Sequence, residues 1–239
     1  MMMKKIIAVF FAAFMQFAAQ AQENVVVDAN VTPRTLQAQF DNVKVSGSIN
    51  LVLSQSDAVS LAVSASEEKY IADISTLVEN GTLRIFWSGG NNWTKNRQLT
   101  VYLGFKQISA IGASGASNVR VVGKIKQDEL KIDLSGASNI KGTLDLKSFT
   151  ISLSGASEAK LDGNVRQLTI NSSGASDVNA YNLEAESCSA SASGASDLKL
   201  NIAQELNAVA SGASHIYYKG DVPKVNIKSS GVSKIESRN

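Results

Sequence analysis

A four-residue string, Ser-Gly-Ala-Ser, recurs along this chain and limits what it can fold into more than any other feature. It begins at Ser114, Ser135, Ser154, Ser173, Ser193 and Ser211, and a seventh copy, Ser-Gly-Val-Ser, begins at Ser230. Successive copies stand 21, 19, 19, 20, 18 and 19 residues apart. A near-constant period of this length marks a stacked repeat, because a unit so short cannot bury its own apolar face and must pack on its neighbours.

Aligning the copies exposes columns. Three residues before the motif stand Ile111, Ile132, Ile151, Ile170, Ala190, Ala208 and Ile227. Two residues earlier stand Ser109, Leu130, Phe149, Leu168, Cys188, Leu206 and Val225. Two residues after the motif come Val119, Ile140, Ala159, Val178, Leu198, Ile216 and Ile235. Apolar and polar residues alternate on both sides of the motif, the period-2 pattern of half-buried strands, and each repeat reads as strand, turn, strand, turn. The expected fold is all-β, a parallel β-helix or β-solenoid with coils of about 19 residues stacked ~4.8 Å apart. Glycine supplies the positive φ of a sharp corner. Alanine is expected to point inward there, and the two serine columns to satisfy one another or the turn backbone.

The remaining chain is read around that core. Residues 108–239 form the seven regular coils, and residues 40–107 form irregular coils and a cap on the same solenoid domain; a separate N-terminal domain is the alternative. Short strands are expected around Val43 and Val45, Ile49 to Leu53, Leu61 and Val63, and Leu99 to Leu103. Ser66 is placed to cap a short helix with Tyr70, Ile71, Ile74, Leu77 and Val78 on one face. Asn80-Gly81 reads as a tight turn before a strand carrying Leu83, Ile85 and Trp87. Lys234, Glu236 and Arg238 interleave charge into the last strand, which discourages further stacking.

The first residues bear on compartment. Lys4 and Lys5 precede an uncharged apolar run from Ile6 to Ala19, and Ala19-Gln20-Ala21 fits a signal-peptidase site. Residues 1–21 are therefore expected to be a signal peptide, followed by a polar arm over residues 22–39. No later segment is apolar for long enough to cross a bilayer as a helix. The chain has 23 basic and 21 acidic residues, and removing Lys4 and Lys5 leaves 21 against 21. A neutral chain without a basic run offers no footprint for nucleic acid. Cys188 is the single cysteine, so no intramolecular disulfide is possible.

The signal-peptide pattern, the stretch from Val45 to Asn50 (Val-Ser-Gly-Ser-Ile-Asn), Asn80-Gly81-Thr82-Leu83 and the serial Ser-Gly-Ala-Ser copies together resemble the bacterial family described as "Putative auto-transporter adhesin, head GIN domain", a domain of unknown function. The resemblance runs from about Phe40 to the C-terminus. It implies a parallel β-helix-like fold, export into a Gram-negative envelope and an adhesin role, at the periplasm or the cell surface. It supplies no catalytic or binding residues.

The chemistry-bearing residues are few. His215 is the single histidine, which excludes multi-histidine metal sites, and it stands in the outward column after the motif. Nothing signals a Ser-His-acid geometry, and the glycines do not precede helix starts as phosphate loops require. The column after the motif reads Asn118, Asn139, Glu158, Asp177, Asp197, His215 and Lys234. Carboxylates of Glu158, Asp177 and Asp197 on neighbouring rungs would lie ~4.8 Å apart, which makes them the candidate site for a cation, calcium by preference. Residues 86–97 hold both tryptophans, Trp87 and Trp93, beside glycines and asparagines. They are the candidate glycan-binding residues, set against a structural role in covering a solenoid edge. Cys188 occupies a core column and reads as a small hydrophobe. No cofactor is expected, and the partner is left open between a surface glycan and a protein. The function expected is a non-enzymatic envelope interaction module presenting a rigid face, with a carbohydrate-active β-helix enzyme and a purely structural envelope component as the alternatives.

Overall fold

The structure, a computed structural model, describes residues 31–36, 38–90 and 97–238. The expected signal peptide, Trp93 and most of the polar arm lie outside the described residues. The alternating pattern makes strands so long that each goes most of the way round a coil. In chain order the strands are β1 (Val31–Arg34), β2 (Asn42–Val45), β3 (Ile49–Gln55), β4 (Ser60–Ala65), β5 (Ile74–Glu79), β6 (Thr82–Trp87), β7 (Leu99–Phe105) and β8 (Ala110–Ala113). The regular coils follow as β9 (Asn118–Leu134), β10 (Asn139–Leu153), β11 (Glu158–Ser172), β12 (Asp177–Ala192), β13 (Asp197–Ala210), β14 (His215–Lys219), β15 (Lys224–Ser229) and β16 (Lys234–Ser237). All belong to one sheet that winds into a β-solenoid with coils of roughly 19 residues.

Each of β10 to β13 leaves one Ser-Gly-Ala-Ser corner and ends at the next. Midway, the alternation skips: Lys147 and Ser148 in β10, or Glu186 and Ser187 in β12, face away from the core in succession, and the strand bends. A coil thus has an approach wall leading into the glycine corner and an exit wall leaving it. Pairing is parallel, equivalent residue on equivalent residue, so Ile111, Ile132, Ile151, Ile170, Ala190 and Ala208 stack in one column. None of the six is more than 2% exposed. This stacking is what turns a 19-residue period into a continuous apolar interior.

The corner differs from expectation in one respect. Ala116, Ala137, Ala156, Ala175, Ala195 and Ala213 face solvent, whereas the following serines, Ser117 through Ser214, are at most 1% exposed. The cause is the hydrogen-bond demand of the turn. The buried Ser157 hydroxyl donates to the Ser154 carbonyl at 2.8 Å, and Ser176 and Ser196 repeat this geometry with Ser173 and Ser193. Alanine could not satisfy that carbonyl. The serines therefore bond to backbone rather than forming a hydroxyl ladder. The glycines behave as expected: Gly155 has φ +77°, and a Cβ there would lie 2.5 Å from the Gly136 carbonyl oxygen. Backbone contact that close, with Ala156 N–H donating to that oxygen at 2.7 Å, leaves room for glycine alone.

The N-terminal rungs obey the same plan in a different order. Ser46-Gly47-Ser48 joins β2 to β3 as a further corner, and Ala116 N–H donates to the Gly47 carbonyl at 2.9 Å. Outside this rung lies a later one, β6 and β7, pairing in parallel with β2 and β3. β6 ends at Trp87 and β7 begins at Leu99. Beyond it, β4 and β5 run antiparallel to β7 and β6, and β1 pairs antiparallel to β4 at the edge. The helix expected after Ser66 is one 3-10 turn, Glu68–Tyr70, and Ile74–Glu79 is a strand. An isolated helix that short is marginal, whereas the open edge of β6 offers a full ladder of backbone partners. Ser66 turns to Gln98 instead, accepting its N–H at 3.3 Å. Within the expected polar arm, residues 31–34 are the edge strand β1, with Pro33 where no further strand needs its missing N–H.

Candidate functional site

The parallel register puts the column after each corner in a straight outward row on the exit wall: Asn50, Asn118, Asn139, Glu158, Asp177, Asp197, His215 and Lys234. The asparagines form an amide ladder, Asn118 Nδ2 donating to Asn50 Oδ1 and Asn139 Nδ2 to Asn118 Oδ1, each at 3.0 Å. The carboxylates of Glu158, Asp177 and Asp197 are brought onto neighbouring rungs as the sequence predicts, but in a row rather than around a point. Among the described residues no three His, Cys, Asp or Glu side chains are grouped as metal ligands. Two residues further along the same wall stand Arg120, Lys141, Lys160 and Lys199, with the uncharged Asn179 between the last two, and the charge of this row offsets the carboxylates. His215 Nδ1 lies 3.0 Å from Asp197 Oδ1, and its ring is parallel to that of Tyr217 at 5.9 Å. The Arg238 guanidinium covers Tyr217 at 4.8 Å from the ring centroid.

Trp87 is the last residue of β6. The Arg97 guanidinium lies 3.9 Å from its ring centroid, and Tyr70 meets it edge-on at 6.0 Å. Its indole N–H donates to the Gly90 carbonyl at 3.4 Å, and a Cβ on Gly89 would fall 2.2 Å from the ring. These contacts make Trp87 a packed plug on the outer rungs. Cys188 is 3% exposed in its core column, and burial pushes its thiol up to about 12, so it carries no thiolate at neutral pH.

A groove on the other side of the corners has no counterpart in the sequence reading. It has a volume of about 370 Å³ and crosses four rungs at the end of the approach wall. Asp133, Ser152, Asn171 and Ser191 face out along one side, the corner serines Ser135, Ser154, Ser173 and Ser193 along the other, and Leu134, Leu153 and Ser172 lie between them with their side chains turned into the core. That inward column reads Ala113, Leu134, Leu153, Ser172, Ala192 and Ala210, apolar except at one rung.

With fold and surfaces in view, comparison with known proteins places the chain. The family model described as "Putative auto-transporter adhesin, head GIN domain" matches residues 39–222. The chain belongs to this head GIN family. Solved structures share its fold. A protein titled a putative adhesin from Bacteroides fragilis superimposes with a TM-score of 0.78 at 22% identity, over 88% of this chain and 98% of its own. A protein titled a putative lipid binding protein from Parabacteroides distasonis gives 0.66 at 21% identity, over 87% and 96%. A third, titled a putative adhesin from Parabacteroides merdae, gives 0.66 at 18% identity, over 89% and 98%. Comparison with curated proteins finds no match. At these identities the likeness is one of fold, so head GIN membership fixes the scaffold and leaves the ligand to the surfaces.

Proposed function

We propose that this head GIN protein is an exported, non-enzymatic component of a Gram-negative cell envelope, working as an adhesin-like interaction module. The observation that carries the reading is the in-register array of outward side chains: similar rungs set polar groups in straight rows along the solenoid. A surface of that kind suits an extended, repetitive partner. A hydrolase would need two carboxylates held in different environments across a cleft, and Glu158, Asp177 and Asp197 stand in equivalent places on an open wall.

Treating intact cells with a membrane-impermeant amine label tests the placement. Labelling of exposed lysines such as Lys160 and Lys199 on intact cells places the module at the surface, labelling only once the outer membrane is opened places it in the periplasm, and protection until the inner membrane is broken would overturn export. Incubating the purified chain with neutral and acidic polysaccharides tests the rest, and any shortening of the polymers would overturn the non-enzymatic reading.

A further inference from the structure

The last rung of the solenoid ends in a strand edge that no strand of the described residues covers. β15 pairs in parallel with β13 and with nothing on its outer side among the described residues. Val225 and Ile227 sit over Leu206 and Ala208, which are fully buried, yet both are nearly half exposed. An open edge with an apolar inward row is a template for one more strand. Lys224 and Lys228 supply the charge of the outward row, and among the described residues neither makes an ion pair.

A strand that fits this edge is apolar at alternate positions and negative beside them. A second β15 fits poorly. Aligned so that Val225 meets Ile227, two copies of β15 set Lys224 against Lys228 at both ends of the pair. Residues 22–30, Gln-Glu-Asn-Val-Val-Val-Asp-Ala-Asn, carry the complementary pattern. Val25 and Val27 alternate as Val225 and Ile227 do, and β-branched residues suit a strand. The only charges of this stretch, Glu23 and Asp28, are both negative. With Val25 and Val27 laid along Val225 and Ile227, Asp28 falls opposite Lys228 in a parallel pairing and opposite Lys224 in an antiparallel one.

The arm cannot reach this edge within its own molecule. β1 begins at Val31 at the far end of the sheet, nine strand pairings from β15, roughly 43 Å at ~4.8 Å each. Three residue steps separate Asp28 from Val31 and span about 11 Å at most. The occupant is therefore the arm of another copy. We infer that residues 23–28 of one molecule add as a strand to β15 of the next and join copies end to end. Each copy offers one arm and one edge, so the contact is head-to-tail and continues into open chains instead of stopping at a dimer.

Sedimentation velocity on the chain from Gln22 onward, run from micromolar to millimolar concentration, tests this. Species beyond the dimer should grow with concentration. Val25→Asp/Val27→Asp removes the apolar row of the arm, Lys224→Glu/Lys228→Glu makes the edge repel it, and each double variant should be monomeric. An equimolar mixture of the two should form a one-to-one dimer and stop there, because one competent arm and one competent edge remain; that regained contact also shows that both variants fold. Asp28→Lys alone should weaken association about three- to tenfold, since it loses a surface ion pair and gains a like-charge contact. An unaltered chain that stays monomeric at millimolar concentration would overturn the proposal. So would association that survives Val25→Asp/Val27→Asp, the result expected if open ends pair with each other, or a mixture of the two double variants that stays monomeric.

Discussion

At the N-terminal end of the rod Leu61, Val63, Ile74 and Leu83 are no more than 1% exposed, whereas in the last rung Val225 and Ile227 are 42% and 46% exposed. The two ends are built from the same kinds of residue. The difference is what lies beyond them. At the N-terminal end the chain doubles back, so that β4, β5 and the short β1 cover the outermost parallel rung, with Leu36, Tyr70, Ile71 and Trp87 packed over the core. In the last rung β15 and β16 pair on one side only, with β13 and β14. Ile151 and Ile227 occupy one column, yet the first is fully buried and the second half open. Burial in a solenoid is thus set by the neighbours on both sides and not by the repeat itself.

One substitution placed at three heights measures this directly. Ile151→Ala should cost about 2–5 kcal/mol, because it opens a cavity in a filled interior. Leu83→Ala should cost a similar amount if the antiparallel rungs seal their end. Ile227→Ala should cost about 1 kcal/mol or less, since half its side chain is already in water. Chemical denaturation reads all three. A Leu83 variant as mild as the Ile227 variant would show that reversal of strand direction does not close the rod.

The regular coils were legible because period-2 alternation survives seven copies, and the columns read from Ile111, Ile132 and Ile151 are the columns in the sheet. The N-terminal rungs were harder for a physical reason. Their order in space is not their order in the chain, since β6 and β7 lie outside β2 and β3. Over six to nine residues, periods of 2 and 3.6 also overlap, so Ile74, Leu77 and Val78 fit a helix face as well as the strand they form. The inward alanine was misread because alanine and serine are close in size, and the buried carbonyl that demands a donor is invisible in sequence. Of the candidate sites, the row of Glu158, Asp177 and Asp197 could be read directly. The groove beside the corners could not, because a concavity is made by the packing of four rungs.

Glycine separates the N-terminal rungs from the stacked coils in another way. Gly155 and Gly81 both have positive φ, +77° and +70°, but a Cβ on Gly81 meets nothing within 4 Å. Gly81→Ala should therefore show only the handedness penalty, about 1–2 kcal/mol. Gly155→Ala adds a collision with the Gly136 carbonyl and should cost at least about 1 kcal/mol more, as overpacking does. Equal losses in thermal denaturation would mean that the mid-rod rungs can part to admit a methyl group.

The gentlest probe uses a thiol in the column shared by Cys188, Leu206 and Val225. Cys188 lies in mid-rod, and its raised pKa, about 12, means that it should resist iodoacetamide at pH 8 until the protein is unfolded. Val225→Cys, made in a Cys188→Ala background, places the same group in the half-open last rung. Its thiol should ionise near the ordinary value of about 8.5 and label readily in the folded state. The sign of the pH effect follows from the same shift. Below about pH 8.5 both folded and unfolded chains hold the Cys188 proton, so its ionisation makes no difference to stability. Above that, the unfolded chain releases its proton first, and stability should fall as pH climbs towards 12, by at most about 1.4 kcal/mol per pH unit. Cys188→Ala should remove that component of the alkaline slope. Fast labelling of Cys188 in the folded protein would mean that the interior opens along its whole length, and the contrast between a sealed middle and an open end would disappear.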